Sequence, residues 1–167
     1  SAAISASDTV VNLNSVRNLA EKSVIKVEFG PDPENLAEAM ALANSIKSVF
    51  NSHLANAVAH DGADAVNPVA TANATDLATL IALTNSIRTN YTAHRQVGAG
   101  VHNSADTTNV VDPQLATASD LSSAIEILKD VRDVYEAHRI NATHHNSADA
   151  TNVAHKEEFA KVLSVTN

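Results

Sequence analysis

The sequence has 167 residues, about one domain's worth, and its 11 Lys and Arg against 19 Asp and Glu leave a net charge of −8. That balance argues against a nucleic-acid binder, which carries a basic stripe to meet phosphate charge. With no cysteine, disulfides, thiolate metal sites and cysteine nucleophiles are all excluded, and no run offers the ~20 apolar residues of a membrane-spanning helix.

The chain opens Ser1-Ala-Ala-Ile-Ser-Ala-Ser-Asp8, without the basic and apolar regions of a secretory leader, so synthesis in the cytosol with loss of the initiator Met is expected. Residues 1–31 read as an N-terminal arm. Within it, 8–22 is a candidate helix, and Ser23-Val-Ile-Lys-Val-Glu-Phe29, β-branched and bounded by Gly30-Pro31, is a candidate strand. A lone strand has unpaired edges, so this one is expected to pair with another segment or another chain.

Residues 32–154 form a repeat domain. Ala41–His53 with His60–Asn67, Ala82–His94 with His102–Asn109, and Glu126–His138 with His145–Asn152 align as three copies. Each copy carries an apolar stripe at three- and four-residue steps, the pattern of a long amphipathic helix. The stripes are Leu36, Met40, Ala43, Ile46, Phe50, His53; Leu77, Ile81, Thr84, Ile87, Tyr91, His94; and Leu121, Ile125, Leu128, Val131, Tyr135, His138. Asp32-Pro33-Glu34 offers a cap with Pro at the first helical position. Thr75-Asp76 and Ser119-Asp120 offer a capping hydroxyl followed by a first-turn acid. Helices are therefore expected near 33–56, 76–96 and 120–140, in an all-α fold. His155–Leu163 reads as a short C-terminal helix within the terminal segment 155–167, an atypical end unit of a repeat array.

About 20 residues separate consecutive helices, well beyond the two to eight usual in a bundle. Extended, such a connector spans ~66 Å, twice the ~33 Å of its helix. Two routes stay open: the connector runs back along its helix and successive helices lie parallel, or it holds a short helix of its own. The apolar content is 44%, yet 30 of those residues are Ala and there is no Trp. Few bulky side chains predict narrow helical packing, completed by contacts with other subunits, and no large cavity.

Six of the eight histidines occupy equivalent positions in the repeats. His53, His94 and His138 end the stripes, three residues after Phe50, Tyr91 and Tyr135. Were the helices parallel, these three would converge at one end, and three imidazoles with an open position are a zinc arrangement. His60, His102 and His145 precede Asp64, Asp106 and Asp149 by four residues, one helical turn, and Asn67, Asn109 and Asn152 follow. The plainer reading is a turn, since Asn, Ser and Asp side chains hydrogen-bond local backbone and a catalytic site is seldom built three times in one small chain. That reading is preferred, with no metal and no cofactor. Gly98-Ala-Gly100 lacks the Lys and spacing of a phosphate loop, and neither Gly-x-Ser-x-Gly nor His-Glu-x-x-His occurs, so no enzyme is expected.

A helix ending Tyr-x-x-His-Arg, a spacer, His-Asn-Ser-Ala-Asp-x-x-Asn and then Ala-Thr-Asp-Leu-Ala resembles repeats in virion structural proteins of tailed bacteriophages. The resemblance covers roughly residues 41–153. The first copy departs from it, with His60-Asp-Gly-Ala-Asp64 and no counterpart of Arg95 and Arg139. The resemblance implies a structural component of the particle, made in the host cytoplasm; a small, acidic repeat without pocket chemistry fits a capsid decoration protein first of all. Neck, tail or fibre is the alternative position. It also implies other virion subunits, such as the major capsid protein, as partners. A homo-oligomer is expected on general grounds, with no nucleic acid or membrane as partner. A His-rich metal-binding module is the rival of another class.

Overall fold

The computed structural model describes residues 32–154; the expected arm with its helix 8–22 and strand 23–29, and the helix 155–163, lie outside them. Three helices of 19 residues each organise this part: α1 (Leu36–Leu54), α2 (Leu77–Arg95) and α3 (Leu121–Arg139). The fold is all-α, and no strand occurs among the described residues.

The helices are shorter than expected at both ends, and their caps differ. Asn35, not Asp32, caps α1, accepting from the Glu38 N–H at 3.0 Å. Asp76 and Asp120 are themselves the caps of α2 and α3, not first-turn acids behind Thr75 and Ser119. Each has extended backbone, which aims its short carboxylate at the N–H three residues on, Thr79 and Ser123 respectively, at 2.8 Å. In return the Asp76 and Asp120 N–H groups donate to the hydroxyl oxygens of Thr79 and Ser123, closing capping boxes. Asp32 instead reaches α3, pairing with Lys129 at 2.8 Å and Arg132 at 3.0 Å.

Each helix turns the same positions inward. Ile46, Ile87 and Val131 are equivalent and buried, as are Leu42, Leu83 and Ile127. At the amino ends the inward position is one residue earlier than the expected stripe. Ala39, Leu80 and Ala124 are wholly buried, while Met40, Ile81 and Ile125 lie partly buried at the margin. Alanine at two of these three sites lets the helices approach closely. Above them Phe50, Tyr91 and Tyr135 form a triangle of edge-to-face rings with centroids 6.0–6.5 Å apart. Every helix packs on both others, so the three described repeats close into a ring.

The connectors take the first of the two open routes. After α1 the chain runs back along it: Asn51 clamps the Val69 backbone through both its amide atoms, and Asn44 clamps Ala74. After α2, Asn85 does the same to Ala118. Each connector thus returns to the amino end of its own helix before the next begins, and all three helices point the same way. The side chains of Asn44, Asn51 and Asn85 supply the partners that an extended chain without a sheet would otherwise lack.

A second ring lies beyond the carboxyl ends of the helices. Asp61 N–H donates to the Val101 carbonyl, Asn103 N–H to His144 and Asn146 N–H to Ala59, at 2.8–2.9 Å. Repeat one therefore binds two, two binds three, and three binds one. Glycines in the first two copies fit this ring. A Cβ on Gly62 would lie 2.8 Å from the Gly100 carbonyl oxygen, and Gly100 itself holds φ +99, a left-handed conformation that suits glycine. Replacing Gly62 by Ala should therefore cost roughly 1–3 kcal/mol in urea unfolding. Gly98→Ala, whose Cβ would meet only Ala105 N at 3.9 Å, should stay within about 0.5 kcal/mol.

Candidate metal centre

The parallel course of the helices brings His53, His94 and His138 together, with ring centroids 5.2–5.6 Å apart. His60, His102 and His145 form a second triangle beside the first, at 4.9–5.0 Å. Each of these three is set by a turn after its helix, donating its backbone N–H to Asn56, Gly98 and Asn141. All six are at most 1% exposed.

The expected pairing of each histidine with the Asp four residues on does not occur, because the chain there is not helical. Instead Asp64, Asp106 and Asp149 fold back onto their own helix ends, donating their N–H to the carbonyls of Leu54, Arg95 and Arg139. Their side chains then reach the next helix. His94 Nδ1 lies 2.8 Å from Asp64 Oδ2, His138 Nδ1 2.8 Å from Asp106 Oδ2, and His53 Nδ1 2.8 Å from Asp149 Oδ2. This relay also runs one to two, two to three, three to one.

The Asp and Asn residues also bond within their own turns. Asp64 Oδ1 accepts from Val66 and Asn67 N–H while Oδ2 accepts from the Asn67 side chain at 2.7 Å. Asp106 with Asn109, and Asp149 with Asn152, repeat it. The hydroxyls of Tyr91 and Tyr135 fix the same turns from inside, donating to the carbonyls of Asn109 and Asn152.

An ionised carboxylate only accepts, so His53, His94 and His138 must carry their proton on Nδ1. His102 and His145 do likewise, since their Nδ1 atoms face the carbonyls of Val97 at 2.7 Å and Asn141 at 3.1 Å. The Nδ1 of His60 has no hydrogen bond of good geometry. In all six rings Nε2 is buried and has no partner. Single ring nitrogens of His53, His60, His94 and His145 lie within 4.8 Å of one another, as do those of His94, His102, His138 and His145.

Burial holds these imidazoles neutral. It pushes His60 and His94 down to about 4 and His138 to about 3, with neighbouring imidazoles adding to the effect; the bonds to Asp64 and Asp106 oppose it at His94 and His138. His53, His102 and His145 are lowered by the same burial. Burial would raise Asp64, Asp106 and Asp149, but hydrogen bonds from histidine, asparagine and backbone N–H outweigh it and hold them well below the usual carboxylate range. The result is a closed cage of neutral rings with lone pairs inward and ionised carboxylates behind one triangle, the second shell that metal-bound imidazole takes.

Every residue singled out in the repeat motif and at the helix ends is therefore at this site or next to it. Sequence reasoning missed how they pair, because the partner of each Asp lies in the following repeat. The spacing carried a signal for this: the histidine-to-Asp motif repeats in step with the stripe-ending histidines. Among the basic residues, Arg95 and Arg139 brace the cage from outside, donating to the carbonyls of Asp106 and Asp149. Comparison with known proteins returns no matching family model, no matching curated protein and no matching solved structure.

In chelator, stability should fall with acid. The unfolded histidines titrate near 6.5, above the folded values, so between about 6.5 and 4 the unfolded chain binds protons that the fold refuses. Each histidine that stays neutral in the fold should remove roughly 1–2 kcal/mol at pH 5 relative to pH 7.5. Urea midpoints at the two pH values check this, and equal midpoints would contradict it.

Proposed function

We propose that this chain is a non-enzymatic structural protein whose three repeats are pinned together by one divalent transition-metal ion held in the histidine cage. The observation that carries the reading is the convergence of six buried histidine rings whose Nε2 atoms have no partner, with ring nitrogens of four at a time within 4.8 Å. Lone pairs facing one another in a buried interior repel, and each lacks the protein hydrogen bond that would replace the one it has in water. A cation relieves both costs. Imidazole is the common ligand of zinc, copper, iron and nickel, and carboxylates on the far ring nitrogen raise its basicity. A site enclosed by its own ligands suits a structural ion, not one that meets substrate.

The setting assigned to this module is the particle of a tailed phage, on the resemblance of its His-Asn-Ser-Ala-Asp repeats. The first choice is a decoration protein acting through contacts with the major capsid protein and with copies of itself, with neck, tail or fibre as the alternative. An acidic chain whose polar side chains are spent on tying its repeats together fits a building block.

The test is metal uptake by the full chain after chelation, offering Fe2+, Co2+, Ni2+ and Zn2+ separately. One ion per chain by elemental analysis is expected, with a rise in Tm of roughly 10 °C at ligand well above Kd. His60→Ala should bind more weakly than the parent. Uptake well below one ion per chain for every metal, as for a cage that holds only water, would overturn the reading. For the setting, the chain should cosediment with capsids lacking it; failure to do so would remove the decoration role.

A further inference from the structure

The arrangement of the six rings says more than that a metal fits. Every cage ring is in contact with every other except one, and the exceptions pair off: His53 with His102, His60 with His138, His94 with His145. Six points in which each has a single non-neighbour are the corners of an octahedron, and the three exceptions are its diagonals. The two triangles are its opposite faces, staggered because each helix-end histidine sits between two of the connector histidines. The contacts along the sides run from 4.5 Å for His53 with His60 and His94 with His102 to 5.3 Å for His60 with His94.

One diagonal fixes the scale. His94 and His145 belong to both sets of ring nitrogens lying within 4.8 Å. An ion midway between them is then at most about 2.4 Å from each, a few tenths of an ångström from the ~2.0–2.1 Å of a zinc–imidazole bond. Neither set holds both His53 and His102 or both His60 and His138, so these rings must draw inward for all six to reach one ion. Two ions cannot share it, since the two sets have His94 and His145 in common and each neutral ring has one lone pair to give.

We propose that the cage coordinates a single Fe2+, Co2+ or Ni2+ ion octahedrally through the Nε2 atoms of all six histidines, leaving no position for water or substrate. This rests on the reading of the site as a metal centre and goes beyond it in coordination number and metal class. Zinc favours four ligands and would leave two buried lone pairs orphaned, while Mg2+ and Ca2+ want oxygen. Cu2+ prefers a tetragonal field over six equal donors. Six neutral imidazoles leave the ion's two positive charges uncompensated in the first shell, and Asp64, Asp106 and Asp149 supply negative charge one bond further out.

The chelated full chain is loaded with Co2+ alone and with Ni2+ alone. X-ray absorption should count six nitrogen neighbours at one distance, and Co2+ should show the weak visible bands of an octahedral ion. Added azide should leave both spectra unchanged. In His60→Ala, checked for helical content by circular dichroism, one position opens and azide should shift the Co2+ bands. In equimolar competition Ni2+ should displace Zn2+. Intense tetrahedral Co2+ bands, four or five nitrogen neighbours, an azide shift in the parent, or retention of Zn2+ over Ni2+ would overturn the inference while leaving a metal-binding module. Absence of any uptake would overturn both.

Discussion

The hydrogen bond from a helix-end histidine to the Asp of the preceding repeat is the interaction on which the rest depends. It needs the connector to return to its own helix end, so that the Asp backbone is anchored there. It needs the neighbouring helix to run parallel, so that a histidine arrives at the same level. It also fixes which ring nitrogen carries the proton, and thereby turns a bare Nε2 toward the axis. Without that bond the three histidines would be adaptable polar groups at the end of a bundle. With it they become pre-aimed donors.

The cage shows how one carboxylate serves two scales at once. Asp106 Oδ1 holds the local turn through Thr108 and Asn109, while Oδ2 holds His138 in another repeat. Removing a side chain of this kind would unmake a turn and an inter-repeat tie together. The aromatic triangle of Phe50, Tyr91 and Tyr135 lies directly beneath, and its two hydroxyls reach the same turns. Apolar packing, backbone capping and the polar cage are therefore one cooperative unit, and the small share of bulky side chains is offset by dense hydrogen bonding.

Much of this was legible in the sequence, and the failures have physical causes. Apolar periodicity located the three helices because each buries one face, and the repeat was plain because each copy performs the same task. The direction of the connectors was not legible: it rests on Asn44, Asn51 and Asn85 clamping distant backbone, and an asparagine on a helix carries no mark of its partner. The caps were misplaced by one residue at Asp76 and Asp120, since an acid in the first turn and an acid at the cap look alike in a string of letters. The spacing of four between His60 and Asp64 suggested a helical pair, whereas the chain leaves the helix there and Asp64 turns to His94. Six histidines in register pointed to a shared role, but only their convergence separates a cage from three turns.

Ring closure has a consequence for how such a protein can change over time. An open solenoid gains or loses copies at its ends and remains a solenoid, since each unit needs only its neighbour. Here the third copy must meet the first, through Asp149 with His53 and through Asn146 with Ala59. A fourth copy would have no angle left to occupy, and a missing one would leave two faces bare. Duplication within the gene would therefore yield whole additional rings strung along the chain, as beads, and never a longer ring.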